Sequence, residues 1–338
     1  MDVVRLGLVG AGEVAARHAA AAAEVPEVRL TAVADVDLDR ATRLAGDHGA
    51  AAFADLADLL AGAEIDLVVL AVPHARHADL ALAALAAGRH VLVEKPMATT
   101  LADCDRMIEA ASRAGRLLYV GQQQRQLTTV RRAREVLAEG SLGRPLLYLE
   151  RRSSDYTPGA RPAWILDREL AGGGIAIMVG IHTVDRASWL LDELPVAVSG
   201  SVATPAGWQV ETAAAGQLFF AGAPPAYFSL LHTDPDFFHE TTVICERGRV
   251  AIDPAGVTVA DGRGLRRIVT VDQDREYTLS FARQYQAVSY CLREGASPAV
   301  SLTEARTAVA AIHALYESSA AGGARIALHP TTVRYPHM

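Results

Sequence analysis

A chain of 338 residues is long for one hydrophobic core, and two domains are the natural expectation. Its apolar fraction of 51% is ample for both, while a net charge of −7 argues against a nucleic-acid or anionic-membrane surface. Cys104, Cys245 and Cys291 are odd in number and far apart, which fits a reducing cytoplasm and offers neither a disulfide framework nor a zinc knuckle.

The opening Met1-Asp2-Val3-Val4-Arg5-Leu6 runs straight into a strand and leaves no room for a signal peptide, and no later apolar stretch has the length of a membrane span. Val3 to Val9 reads as a buried strand. The chain then turns through Gly10-Ala11-Gly12-Glu13-Val14-Ala15 into an Ala-rich helix, a G-x-G-x-x-A dinucleotide fingerprint. Gly10 permits the tight turn, Gly12 lets a pyrophosphate approach the backbone, and the free N–H groups of the helix start face the phosphates. A second strand, Arg29 to Ala34, ends in Asp35, where the fingerprint wants an acid for the adenosine ribose. A carboxylate there repels a 2′-phosphate, so NAD is favoured over NADP. Asp37 is the better candidate for the cap of the following helix.

Ile65 to Ala71 is the next apolar run, followed by the turn Val72-Pro73-His74 and a helix over Asp79 to Ala87. His90 to Glu94, a helix over Leu101 to Ala114 and a strand over Leu117 to Val120 continue the alternation. This rhythm specifies a doubly wound parallel sheet over residues 1–121. Gly12, Asp35, Pro73, Lys95 and Gly121 then all lie beyond the carboxyl ends of strands, where ligands of such sheets bind. A lysine at such a strand end is expensive to desolvate, which marks Lys95 in Glu94-Lys95-Pro96 as a site residue.

The period changes after Gly121. A helix over Thr129 to Glu139 precedes a strand over Leu146 to Arg152, and seven further strands follow between Val196 and Val271. Helices near Phe281 to Arg293 and Thr303 to Ala321 close the chain, so residues 122–338 are expected to form an α+β domain with a large, mostly antiparallel sheet. Within it, Gly172-Gly173-Gly174 suits a backbone abutting cofactor or substrate. On a helix starting just after these glycines, Met178, His182, Asp185 and Trp189 share one face at spacings of four, three and four. Asp185 either orients His182 or pairs locally with Arg186 or Arg152. Tyr156 follows the first strand of this half, in a loop placed to read a substrate. His232, Asp234, Asp236 and His239 have no metal-ligand spacing and read as a solvated loop; no metal is expected.

Taken together, Gly10-x-Gly12-x-x-Ala15, Glu94-Lys95-Pro96 and the Gly-Gly-Gly…His182-x-x-Asp185 block resemble the glucose–fructose oxidoreductase/inositol dehydrogenase (Gfo/Idh/MocA) family. Val72-Pro73-His74-x-x-His77, Ala87-Gly88-Arg89-His90 and Trp164 add to the match, which spans almost the whole chain. The resemblance implies a Rossmann domain and NAD(P)-dependent oxidoreduction of a sugar, cyclitol or related secondary alcohol. It implies that Lys95 bridges substrate hydroxyl and cofactor, and that His182, of a residue type with an ordinary pKa of about 6.5, accepts the proton. It places Gly10, Gly12, Glu13, Val14, Asp35, Val72, Pro73, His77, Glu94, Lys95 and Gln122 at the cofactor, and Lys95, Met178, His182, Asp185, Tyr156 and Trp164 at the substrate. It also suggests a homodimer or homotetramer built through the open face of the second sheet.

One departure matters. Met178 stands where most catalytic members carry Asp, four residues before the histidine, and a thioether cannot make that ionic hydrogen bond. Three readings follow: Asp185 takes over, Lys95 and His182 suffice as a pair, or turnover is lost and cofactor binding kept. Beside the dehydrogenase therefore stand an NAD(H)-binding regulator without turnover and an NAD-dependent glycosidase.

Overall fold

The computed structural model describes residues 3–156, 158–159, 161–232 and 238–328. Contacts among them divide the chain into two compact units, residues 3–123 with 277–305, and residues 124–276 with 306–328.

In the first unit, β1 (Val4–Val9), β2 (Val28–Ala34), β3 (Ala51–Phe53), β4 (Leu67–Leu70), β5 (His90–Glu94) and β6 (Leu118–Gly121) pair in parallel in the order β3-β2-β1-β4-β5-β6. They alternate with α1 (Glu13–Ala23), α2 (Leu38–Asp47), α3 (Leu56–Gly62), α4 (His77–Ala86) and α5 (Leu101–Ala114). The expected doubly wound sheet is present, with its order reversing between β1 and β4. All four residues of β4 are buried, as a strand covered on both faces requires. β3 was not legible, because Ala51-Ala52-Phe53 is short and lacks β-branched residues. Asp37 caps α2 as expected, accepting the Arg40 N–H at 3.2 Å.

The second unit begins with α6 (Thr128–Ala138), β7 (Pro145–Ser153) and the short α7 (Arg168–Ala171). A π-turn over Ala176–Gly180 then runs into α8 (Ile181–Leu191). After it come β8 (Ala197–Ala203), β9 (Ala213–Phe219), β10 (Ala226–Leu231), β11 (His239–Cys245), β12 (Gly248–Asp253), β13 (Gly256–Asp261) and β14 (Gly264–Thr270). The chain closes with α9 (Gln273–Glu294), α10 (Leu302–Ala320) and β15 (Ile326–Ala327). The nine strands form one sheet in the order β14-β13-β12-β11-β7-β10-β9-β8-β15, and only the β7–β10 pair is parallel. The strands alternate as one-sided strands do: on β10, Ala226, Phe228 and Leu230 are buried while Tyr227 and Leu231 are exposed.

The core of the first unit packs Ala15, Ala19 and Ala22 of α1 with Leu6 and Leu8 of β1, and Phe281, Tyr285 and Val288 of α9 complete it. Alanines on α1 keep that helix close to the sheet. Aromatic side chains of α9 fill the volume the alanines leave.

Candidate active site

Two glycines shape the turn from β1 into α1, each for a different reason. Gly10 has φ +97°, and a Cβ there would stand 2.2 Å from the Ala71 carbonyl oxygen. Gly12, the N-cap of α1, makes no side-chain capping bond and has open space where a Cβ would point. Gly12, Glu13 and Val14 are exposed, so the first N–H groups of the helix face outward. The cradle fits a dinucleotide. Asp35 is tied into it: one carboxylate oxygen accepts the Ala11 N–H at 2.7 Å, and the other accepts the Asp37 N–H at 2.8 Å and Arg40 Nη2 at 2.9 Å. The sequence reading missed Arg40, whose signal was only a basic residue one helical turn past the acid.

Val72, Pro73 and Lys95 are half-buried at the turns that follow β4 and β5. His77, fully enclosed, joins those turns, with Nδ1 2.8 Å from the Pro96 carbonyl and Nε2 3.1 Å from the Val72 carbonyl. Both neighbours only accept, so a neutral ring donates to one of them. Burial pushes the His77 imidazole down, against the pull of the two backbone bonds, and the neutral form is the one we assign. Glu94 is 7% exposed, and its carboxylate accepts the Lys95 N–H at 3.3 Å. A Cβ on Gly121 would come within 2.9 Å of Glu94 Oε1 and 3.3 Å of the Val93 carbonyl oxygen. Gln122 is buried, and its Oε1 has no partner among the described residues.

In the second unit the glycine block serves the protein's own packing. A Cβ on Gly174 would lie 1.9 Å from the Glu211 carbonyl oxygen, and one on Gly173 2.1 Å from the Tyr316 hydroxyl. Glu211 Oε1 accepts the Gly174 N–H at 2.8 Å, the Ala176 N–H at 3.1 Å and the Tyr316 O–H at 2.9 Å. These close approaches account for glycine at positions 173 and 174. The α-helical face drawn from Met178 to Trp189 also needs correction: Met178 sits in the π-turn, and regular α spacing starts only with Ile181. Turns of this kind inside helices are frequent at functional sites. Met178 and His182 are each 5% exposed.

Asp185 has a partner that the sequence did not offer, Arg125. Its carboxylate forms a fork with Arg125, Nε at 3.0 Å from both oxygens and Nη2 at 2.7 Å from one, and the guanidinium also stacks 4.7 Å over Trp189. With both side chains at most 4% exposed, this is a buried ion pair that fixes α8. Arg186 instead donates to Gln124 at 2.8 Å, to Thr241 at 3.1 Å and to His239. Beside them lies Glu150, bonded by Thr183 at 2.8 Å and by the Tyr148 hydroxyl. Burial opposes ionisation of Glu150, but the Arg186 charge and His239 outweigh it and hold the carboxyl well below its usual range. Burial, then Arg186 and Arg152, push His239 down to about 3.

His232 and His239 are therefore not in a solvated loop. His232 is fully enclosed, and burial pushes it down to about 4. Neither of its ring nitrogens has a partner among the described residues. Asp234 and Asp236, between the two histidines, lie outside the described residues. Tyr156 is half-buried with its ring 4.4 Å from that of His232, and Trp164 is half-buried in the 3-10 turn Ala163–Leu166. Among the described residues, no group of three or more His, Cys, Asp or Glu could hold a metal ion, and no helix is long and apolar enough to cross a membrane.

Residues 4–122 match a model described as an oxidoreductase family with an NAD-binding Rossmann fold, and residues 130–251 match the GFO/IDH/MocA C-terminal domain. Inositol 2-dehydrogenase 3 of Saccharopolyspora erythraea is 27% identical over 328 residues, covering 94% of each chain. Inositol 2-dehydrogenase of Rubrobacter xylanophilus is 34% identical, but over 56% of this chain and 53% of its own length. Levoglucosan dehydrogenase, solved with NADH and levoglucosan, superposes with a TM-score of 0.89 over 96% of this chain and 99% of that one, and at 20% identity shows a shared fold. With both halves matched and the nucleotide cradle in place, the chain belongs to the Gfo/Idh/MocA family of oxidoreductases, and its dinucleotide is NAD.

Proposed function

We propose that this protein interconverts a secondary alcohol and a ketone on a sugar, cyclitol or related polyol, using NAD, with Lys95 and His182 as its catalytic groups. The bound nicotinamide supplies or takes up the hydride. Gly10, Gly12, Glu13 and Val14 hold the pyrophosphate through backbone N–H groups, and Asp35 receives the ribose hydroxyls. Val72, Pro73 and Gln122 line the cofactor, while His77 and Glu94 act by fixing the turns around Lys95. The Lys95 ammonium polarises the substrate hydroxyl, and His182 takes up or returns its proton. Tyr156, Trp164 and Met178 contact the substrate, and Met178 offers it an apolar surface. Asp185 is already held at both oxygens by Arg125, so it serves by locking the helix that carries His182. That arrangement favours the reading in which Lys95 and His182 suffice as a pair.

The observation that carries this reading is Lys95 directly after β5, whose last residue Glu94 pairs with Gly121, next to Gln122 with its unpartnered Oε1, in a family of NAD-binding oxidoreductases. The relatives named above are dehydrogenases, which does not favour a regulator without turnover or a glycosidase. We further propose a cytoplasmic homodimer or homotetramer. The outer face of the nine-stranded sheet supports this, since it exposes Leu149, Tyr227 and Leu231, an apolar patch that association would cover. The test follows reduced-nicotinamide absorbance with NAD and a panel of cyclitols, sugars and sugar acids, and the reverse reaction with the ketones. Turnover on a cyclitol or sugar is expected. Saturable NADH binding with silence across the panel in both directions would return the regulator to favour.

A further inference from the structure

Beneath the end of β5 runs a buried chain of three side chains from three distant elements. The Tyr285 hydroxyl of α9 is 2.8 Å from Nδ1 of His18 on α1, and His18 Nε2 is 3.0 Å from Oε1 of Glu94 on β5. Tyr285, His18 and Glu94 are 1%, 0% and 7% exposed. The directions of these bonds follow from chemistry. A carboxylate only accepts, so His18 donates from Nε2; in the Nε2–H tautomer Nδ1 accepts the Tyr285 O–H. Burial and the Glu94 charge push the Tyr285 phenol well above its ordinary value, so it keeps the proton it donates. The rings of Phe281 and Tyr285 stand edge-on to the imidazole at 4.9 and 5.6 Å and leave it little freedom to rotate.

The far end of this chain is the wall of a site. Glu94 Oε1 occupies the space a Cβ of Gly121 would need, and its other oxygen accepts the Lys95 N–H. Asp35 marks the β2 side of the switch point as the adenosine side, so the β5–β6 side receives the nicotinamide half. The helix that meets the pyrophosphate is thereby bonded through His18 to the strand that carries Lys95.

We propose that Tyr285 and His18 are positioning residues for the nicotinamide half of the cofactor, holding the Glu94 carboxylate in one place beside Lys95 and Gly121. The inference rests on the reading of this strand end as the nicotinamide site. Without the His18 donor, a nearly buried carboxylate loses its bond to the imidazole and moves, while the adenosine end stays intact.

The test compares NADH with ADP-ribose, which lacks the nicotinamide, by titration calorimetry on the intact protein. His18→Leu is expected to weaken NADH by about tenfold and ADP-ribose by less than about twofold. Tyr285→Phe gives a smaller shift of the same kind. His18→Gln, which keeps an N–H donor, recovers NADH binding to within about threefold of wild type. Nitrogen-15 NMR of histidine-labelled protein is expected to show His18 as the Nε2–H tautomer. An Nδ1–H tautomer, or equal weakening of both ligands in step with lost thermal stability, overturns the proposal and leaves a merely structural role. Unchanged NADH affinity in both His18→Leu and Tyr285→Phe overturns it as well. Wild type that binds ADP-ribose but not NADH overturns the nicotinamide site itself, which separates that failure from the others.

Discussion

The two units place their chemistry in different parts of the chain. In the first, the surface we propose for the cofactor is backbone: Gly10 admits the Ala71 carbonyl and Gly121 the Glu94 carboxylate, while Gly12 leaves open space at the exposed start of α1. Asp35 helps by bonding the Ala11 N–H. In the second, polar side chains are buried under a sheet and must find each other, as Arg125 finds Asp185, Thr183 finds Glu150 and Tyr316 finds Glu211. A backbone cradle costs little when one side chain is lost. A buried side-chain network costs much, because each deletion leaves a desolvated partner behind.

That contrast can be broken or sharpened by substitution. The largest effect is expected from His182→Ala, which should lower kcat by about 10²–10⁴-fold while NADH affinity stays within about twofold. A parallel loss of NADH binding would mean that the second unit shares in holding the cofactor. Asp185→Leu strands the Arg125 guanidinium and should destabilise the protein by about 3–5 kcal/mol, read by denaturant unfolding. Pairing it with Arg125→Met should recover most of that loss; a double variant no better than the single would remove the ion pair from the account.

Asp35→Ala should leave the fold in place, weaken NAD and reduce the preference for NAD over NADP by about tenfold, measured as a ratio of dissociation constants. An unchanged ratio would show that Arg40, which already neutralises Asp35, sets the discrimination instead. The smallest effect concerns pH. His232 is neutral in the folded protein down to about pH 4, while the unfolded chain protonates it below about 6.5. The unfolded state therefore binds more protons between those values, and stability falls as pH drops, by at most about 1.4 kcal/mol per pH unit. His232→Leu should flatten the fall of melting temperature between pH 6.5 and 5. Glu150 contributes at lower pH, since a depressed carboxylate loses its stabilising contribution only as pH falls below its ordinary value of 4.5.

The same contrast decided what could be read from sequence. Gly10, Gly12, Asp35 and the end of β5 were legible because strand, turn and helix lie next to one another along the chain, and the parallel sheet follows from their alternation. The β7–β14 sheet was legible as strands, though its order was not. Arg125 was invisible as the partner of Asp185, 60 residues away, and Glu211 as the reason for Gly174. Side-chain partners at that separation are fixed by topology, which local pattern does not encode. The π-turn at Met178 was missed for a related reason: α and π spacing share the same apolar residues until the backbone is seen. His18, Tyr285 and Glu94 combine both cases, a legible strand end tied to two residues that looked like ordinary core.

The most direct test of the account is to run wild type and Lys95→Ala side by side for NADH affinity and for turnover with the best substrate of the cyclitol and sugar panel. The account predicts that NADH affinity changes by less than about threefold while kcat falls by about 10²-fold or more, since the cradle is backbone and the chemistry is the ammonium. Turnover within about threefold of wild type in Lys95→Ala would contradict it.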